Sequence, residues 1–176
     1  MATAVDKSFK THKKFVLTQI SFRFMCIGAT LAATWIMFTT KQTALVYGIQ
    51  VDARYSYSPA FKFLAVANLI ACAFSVLSLF LAFVMGNKAV DSTHYFYLFL
   101  HDLVMTLLLM AGCAAATAIG YVGRYGNSHS GWIAICGYFD KFCNKATIAT
   151  MLSYIATLLY LTLTIISAKK SNQIPV

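Results

Sequence analysis

The sequence contains no glutamate and little charge of any kind. Of its 176 residues, 11% are charged and 60% are hydrophobic, and the mean hydropathy is +0.71. A soluble domain of this size would carry about 25% charged residues. The deficit of charge excludes an ordinary soluble domain and indicates a membrane protein.

Proline is also scarce, and neither of the two prolines interrupts an apolar run. Pro59 stands at the start of such a run, and Pro175 lies near the end of the chain. Many transporters build their binding sites from broken helices and internal repeats. The sequence shows neither feature, which weighs against a transport site of that kind.

Four apolar runs are long enough to cross a bilayer, which takes about 20 residues of helix. The sequence therefore predicts an all-α, transmembrane four-helix bundle, with helices at about 16–38, 59–85, 95–122 and 146–168. These helices form one membrane domain, 15–168, between an N-terminal segment, 1–14, and a tail, 169–176. The short connection Gly86–Thr93 predicts that the second and third helices are antiparallel neighbours.

The net charge of +9 comes largely from lysines beside the apolar runs. A cluster before the first helix consists of Lys7, Lys10, Lys13 and Lys14, and a pair after the last helix consists of Lys169 and Lys170. Such clusters favour the anionic cytoplasmic leaflet. We therefore expect both termini to be cytoplasmic and membrane lipids to be partners. Nucleic acid is not an expected partner, because its binding needs a solvated basic domain.

Two opposite charges lie inside the apolar runs. Arg23 is in the first run and Asp102 in the third, each about eight residues from its start, which is roughly 12 Å of helix. An ionisable group at such a position costs roughly 2.5–3.5 kcal/mol even on the lenient insertion scale. Because successive helices alternate in direction, the two charges lie at the same depth. The sequence therefore predicts an ion pair between neighbouring helices.

Two interpretations of this pair remain open. It could fix the register of the helices, or it could carry protons or ions in a small channel or transporter. The apolar runs offer no second carboxylate to receive a proton, which favours the structural interpretation. The many hydroxyl groups have no base beside them, and no metal-ligand or phosphate-binding motif is present. We therefore expect no enzymatic activity, no metal and no cofactor.

Small residues recur at helical spacing in two of the runs. Gly28 and Ala32 are four residues apart in the first, and Gly112, Ala116 and Gly120 follow the same spacing in the third. Small residues let helix backbones approach closely in a membrane. We interpret both sets as packing positions, chiefly within the bundle, with an interface between subunits as the alternative.

Two cysteines lie close together in the connection between the third and fourth helices. Cys136 and Cys143 could form a disulfide, contribute to a metal site or remain free thiols. We favour the disulfide, which requires a bend near Gly137 because residues seven apart on a straight helix are roughly 10.5 Å apart. The aromatic residues nearby suit a recognition surface at the membrane interface; they are Trp132, Tyr138, Phe139 and Phe142.

Several segments together resemble the plant CASP-like proteins. These are relatives of the Casparian strip membrane domain proteins within the MARVEL-like four-span group. The segments are Lys41-Gln42-Thr43, AFKFLAVANLIACAFSVLSLF, DLVMTLLLMAGCAAATAIGYVGRYGNSHSGW and IC…KFCNKA. The resemblance covers roughly residues 15–168. Arg23, Asp102 and the cysteine-bearing loop match the positions that the family pattern provides.

The resemblance implies a multi-pass plasma-membrane protein that forms homo- and hetero-oligomers. Its expected role is a non-enzymatic scaffold that organises a membrane subdomain and recruits cell-wall-modifying proteins. Its expected partners are copies of itself and related CASP-like proteins. The segment Val46–Ser58 departs from the first-loop signature of the true Casparian proteins. The resemblance therefore implies the general scaffold role rather than the lignin-directing one.

Overall fold

A computed structural model describes residues 2–46, 48–85 and 92–172, with side chains described for 15–46, 48–80 and 96–171. The protein is mostly helical. Its elements in chain order are α1 (Ala2–Thr39), β1 (Lys41–Val46), β2 (Ile49–Arg54), α2 (Pro59–Met85), α3 (Ser92–Tyr125) and α4 (Asp140–Asn172).

Four helices of the described part are long and apolar enough to cross a membrane. Their spanning segments are Phe15–Thr39, Pro59–Phe80, Phe96–Tyr125 and Asp140–Ser171. Helices suit these segments because every backbone N–H and C=O is then satisfied within the segment. The predicted four-span helical fold is confirmed.

The four helices form a ring. α1 packs against α2 and α4, and α3 packs against the same two helices. α1 and α3 therefore stand opposite each other, as do α2 and α4. Two groups of buried apolar residues fill the interior, one at each end of the bundle. The group at the loop end includes Met37, Leu64 and Phe142, and the group nearer the termini includes Leu109, Tyr160 and Leu163.

Large apolar side chains also cover much of the outside of the bundle. Trp35, Phe80, Leu107 and Leu158 each expose more than half of their surface. Exposed apolar surface on this scale has no place in water, but it matches the hydrocarbon core of a bilayer. The outer surface of the helices is thus the lipid-facing surface.

The helix bounds differ from the predicted ones mainly at the helix ends. α1 begins at Ala2, so the predicted N-terminal segment is helical over its described residues. α4 begins at Asp140 and ends at Asn172, and so includes the first four residues of the predicted tail. Of the predicted short connection Gly86–Thr93, only the last two residues are described, and both belong to α3. Residues 173–176 lie outside the described part.

The first loop folds into a two-stranded antiparallel hairpin, which the sequence analysis did not predict. β1 pairs with β2 from Lys41↔Arg54 at the base to Val46↔Ile49 at the tip. Gly48 in the two-residue turn has φ of 81°, a left-handed conformation that favours glycine. Alternate β1 residues, starting at Gln42, face the bundle and are partly buried. The hairpin is thus a folded cover on the loop end of the bundle.

Candidate functional site

The buried ion pair occupies the interior of the bundle. Arg23 is 1% exposed and Asp102 is 0% exposed. The guanidinium donates from both terminal nitrogens to both carboxylate oxygens, with Nη1–Oδ1 at 3.1 Å and Nη2–Oδ2 at 3.0 Å. This fork-to-fork geometry is the strongest arrangement for such a pair, and it offsets much of the burial cost. The structure thus places the two residues in direct contact at one depth.

The pair spans a diagonal of the bundle rather than two neighbouring helices. α1 and α3 stand opposite each other, so the contact crosses the centre of the interior. The expectation of neighbouring helices was therefore wrong. The physical reason is reach, because the long arginine side chain ends in a fork of donors that can meet a carboxylate on the opposite helix.

His101 is a further member of this group. Its Nδ1 lies 3.0 Å from Oδ1 of Asp102, and its side chain is 20% exposed. Its ring also contacts Phe74 of α2, with the ring centroids 5.9 Å apart. Asp102 thus contacts a guanidinium on one side and an imidazole on the other. The adjacency of His101 and Asp102 in sequence was the available signal.

The other diagonal of the bundle is bridged by uncharged polar groups. The amide of Asn68 donates to Ser153 Oγ at 2.8 Å. About two turns along, the hydroxyls of Ser75 and Tyr160 are hydrogen-bonded, and Tyr160 also donates to the carbonyl of Ala71 at 2.8 Å. Side-chain bonds therefore join α2 to α4 just as the ion pair joins α1 to α3. Both diagonals hold the four helices in one arrangement.

The small residues predicted for packing divide into two groups. Gly112 and Ala116 are buried, and a Cβ on Gly112 would lie 3.3 Å from the Leu64 backbone, so α2 and α3 approach closely there. A Cβ on Gly28 or Gly120 would have no neighbour within 4 Å. Gly28 is exposed and Ala32 is partly exposed, because their face of α1 points away from the bundle. Packing within the bundle was therefore the wrong interpretation for Gly28 and Gly120.

The disulfide predicted in the last loop is present. Cys136 and Cys143 are bonded, with their Cα atoms 5.8 Å apart. A turn centred on Gly137 precedes α4, and the N–H of Tyr138 donates to the carbonyl of Ile135 there. Of the two cysteines, only Cys143 lies on the helix. The bend expected between the cysteines therefore coincides with the start of α4.

Of the four aromatic residues predicted to form a surface on this loop, only two are exposed. Trp132 is 58% exposed and Tyr138 is 43% exposed, as a recognition surface requires. Phe139 and Phe142 are only 5% and 7% exposed and belong to the core. They point inward because they bracket the first turn of α4, and Phe142 packs edge-on against Phe61 of α2. These two side chains close the loop end of the bundle.

The hairpin is tied to α4 by a long-range hydrogen bond. The side-chain oxygen of Gln42 accepts from the backbone N–H of Phe142 at 2.8 Å. This N–H belongs to the first turn of a helix, where no intrahelical acceptor is available. The sequence gives no sign of this hydrogen bond, because 100 residues separate the two partners.

The hairpin carries its own polar contacts on the outer face. The Thr43 hydroxyl donates to Asp52 at 2.6 Å, and Arg54 approaches the same carboxylate at 3.3 Å. The Thr43 hydrogen bond, with the Arg54 guanidinium, holds the pKa of the Asp52 carboxyl below its usual value. Asp52 is therefore ionised at any physiological pH.

No metal-binding group of three or more His, Cys, Asp or Glu side chains occurs in the part of the chain that the structure describes. The two charges of the bundle interior are already engaged with each other, and the cysteines of the last loop with each other. These contacts hold helices and loops together.

Comparison with known proteins matches the same architecture. The model of the Casparian strip membrane protein domain matches residues 12–159. The chain belongs to this family. CASP-like protein 1F1 of Vitis vinifera is 56% identical, over 94% of this chain and 81% of that protein. CASP-like protein 1F1 of Ricinus communis is 52% identical over 97% and 96%, and CASP-like protein 1F2 of Populus trichocarpa is 48% identical over 97% and 94%. No solved structure matches.

Family membership identifies this chain as a CASP-like membrane protein. Its four candidate spans agree with a multi-pass membrane protein. The matched region begins just before the first span and extends into α4, and it includes the ion pair, the hairpin and the disulfide loop. The names of these CASP-like relatives denote no catalytic activity.

Proposed function

We propose that this protein is a non-enzymatic scaffold of the plasma membrane that self-associates, and associates with related CASP-like proteins, to organise a membrane subdomain. The observation that carries this proposal is the outward face of α1. Gly28 lies there among exposed large side chains, including Phe24, Met25 and Leu31, and leaves a notch between them. A second helix can approach closely at such a notch in lipid.

The bundle interior supports a scaffold rather than a path for ions. Arg23 and Asp102 are bonded to each other across one diagonal, and Asn68 and Ser153 across the other. These polar groups therefore stabilise the bundle and do not face an open lumen. A scaffold needs such a rigid unit, whereas an ion path needs polar groups that are free to exchange partners.

The exposed loop end is the proposed site for wall-side partners, such as cell-wall-modifying proteins. Trp132 and Ile133 are exposed in the last loop, which the disulfide and the backbone bridge between Asn127 and Trp132 hold in shape. Exposed aromatic residues on a rigid loop are typical of recognition surfaces. This proposal assumes that the loops lie outside the cell, opposite the lysine-flanked termini.

The mass of the complex in mild detergent tests self-association. We expect the wild-type protein to be oligomeric and the Gly28→Ile variant to be largely monomeric, because the added side chain fills the notch. The matched control is Ala73→Ile, which enlarges an exposed small residue of α2. A monomeric wild-type protein would contradict self-association, and an oligomer that survives Gly28→Ile would place the interface elsewhere.

The lateral mobility of the protein in cells and its ion flux in liposomes distinguish the scaffold proposal from the channel alternative. In cells, we expect patches that recover slowly after photobleaching, and in liposomes we expect no ion flux. Flux that Asp102→Asn abolishes, in a protein that still assembles, would instead support the channel or transporter interpretation of the ion pair.

A further inference from the structure

The segment Lys41-Gln42-Thr43 forms the start of β1, and its last two residues make side-chain hydrogen bonds. Gln42 bonds to α4, and Thr43 bonds to Asp52. Lys41 points to the outer face of the hairpin, directly opposite Arg54 in the strand register. Like charges at directly opposed positions destabilise a hairpin unless a counter-charge lies between them.

Asp52 neutralises only part of this positive charge. Its carboxylate is already engaged with Thr43 and Arg54. Within the described residues, no carboxylate pairs with Lys41. The base of the hairpin therefore has two cations and a single anion, and the surplus positive charge lies at Lys41.

A groove lies at this base. Its volume is about 310 Å³, and it is lined by Lys41, Gln42, Thr43, Asp52, Ala53 and Arg54. A groove of this size is at the lower end of the range for ligand sites, which is about 300–1,000 Å³. It suits a small anionic group rather than a large molecule. Arg and Lys side chains are the usual ligands of phosphate oxygens.

The groove lies where the chain leaves and re-enters the membrane. The first span ends at Thr39, two residues before Lys41, and the second begins at Pro59, five residues after Arg54. Tyr57, which is 65% exposed, lies between the groove and the second span, as aromatic residues do at the headgroup level. Phospholipid phosphates occupy this level of a bilayer, whereas soluble polyanions do not.

We propose that this groove binds the phosphate of a phospholipid headgroup from the leaflet on the hairpin side, held between the Lys41 ammonium and the Arg54 guanidinium. The lipid phosphate would supply the counter-charge that the hairpin itself lacks. It would also anchor the hairpin, and with it the start of α4, to the membrane surface.

Native mass spectrometry of the purified full chain tests this proposal. The protein is released from nanodiscs of phosphatidylcholine and phosphatidylglycerol, and the retained phospholipids are counted. We expect retained phospholipid on the wild type, with an affinity about fivefold lower for each cation removed in Lys41→Gln and Arg54→Gln. The matched control is Lys62→Gln, which removes an exposed cation at the same end of the bundle but outside the groove.

Two further measurements make the result specific. Asp52→Asn should raise phospholipid retention, because it removes the one negative charge of the groove and leaves an acceptor for Thr43. Diacylglycerol, which has the same acyl chains and no phosphate, should not be retained. Thermal unfolding of each variant checks that the exposed substitutions leave the fold intact.

Equal retention by the wild type and the double variant Lys41→Gln/Arg54→Gln would overturn the proposal. So would an equal loss in Lys62→Gln, since the effect would then be nonspecific charge. Displacement of the phospholipid by soluble polygalacturonate, with the same dependence on Lys41 and Arg54, would likewise overturn it in favour of an acidic polysaccharide.

Discussion

At the residue scale, the central feature is a charge pair whose partners depend on each other. Arg23 and Asp102 are almost fully buried and form two hydrogen bonds to one another. Such a pair adds little net stability relative to apolar residues of similar size, yet the loss of one partner leaves a bare charge in the interior. The pair therefore contributes chiefly to specificity, because any other arrangement of the helices would leave a buried charge unpaired.

We expect Asp102→Leu to destabilise or misassemble the protein, by about 3–5 kcal/mol, because Arg23 then has no counter-charge. The exchange Arg23→Asp/Asp102→Arg should restore part of this loss, and Arg23→Met/Asp102→Leu should restore more. Denaturant unfolding of the purified variants in detergent measures these differences. Single variants as stable as the wild type would show that the pair does not hold the bundle.

Two glycines of α3 form a matched pair for a packing test. Gly112→Ala should destabilise the protein by about 1–3 kcal/mol, because the new methyl group meets the backbone and side chain of Leu64 at 3.3 and 3.2 Å. Gly120→Ala has open space around it and should be neutral or stabilising by up to about 1 kcal/mol. Thermal unfolding of the two variants compares them directly. The opposite order would mean that α2 and α3 are not in close contact at Gly112.

Prediction from single residues succeeded where the cost of burying a charge requires a partner. It failed where the outcome depends on which way a helix face points. An ionisable residue inside an apolar run almost requires a partner, so the sequence identified Arg23 and Asp102 as candidates for one contact. A small residue, in contrast, is compatible with a packed interior and with an open outer face. Gly28 and Gly112 look alike in sequence, and only their positions around the helix separate them.

At the scale of elements, the hairpin and the start of α4 depend on each other. Gln42 in β1 supplies an acceptor to the first turn of α4, and the disulfide fixes the turn just before that helix. Asp140 adds a negative charge in the same first turn, where the helix dipole favours it. These contacts explain why α4 begins six residues before the predicted start at Ala146.

We expect Gln42→Ala to loosen the start of α4, at a cost of about 1–3 kcal/mol, because the Phe142 N–H is then buried without an acceptor. Gln42→Glu should preserve the protection, since its carboxylate accepts the same bond at a helix N-terminus. Amide hydrogen exchange at Phe142 and Cys143 measures the change. Unchanged exchange in Gln42→Ala would mean that the hairpin does not stabilise α4.

At the scale of the whole molecule, the described residues contain four spans, an even number, which places the start of the first span and the end of the last on one side of the membrane. We propose that both termini are cytoplasmic, because the lysines at both ends favour that side. The hairpin and the disulfide loop would then lie outside the cell. A disulfide is compatible with that side, because extracytoplasmic compartments are oxidising.

A glycosylation test decides this orientation. His129→Thr converts the exposed Asn127-Ser128-His129 segment into a glycan acceptor. We expect a glycan on this variant in microsomes, seen as a gel shift that glycosidase removes, because the loop then faces the lumen. The control Phe9→Asn creates an acceptor near the N-terminus and should stay unmodified. A glycan on Phe9→Asn alone would reverse the orientation.

The sequence by itself determined that this is a four-span membrane protein, because the lengths and spacing of apolar runs are set by bilayer thickness and not by the details of packing. It also determined that Arg23 must meet a carboxylate, since a lone buried charge is too costly. Only the tertiary structure decided that the pair crosses a diagonal, that Gly28 faces outward while Gly112 faces inward, and that Gln42 reaches α4. These contacts join residues far apart in the chain, and their geometry depends on how each helix is rotated about its axis, which the weak amphipathicity of lipid-facing helices leaves open.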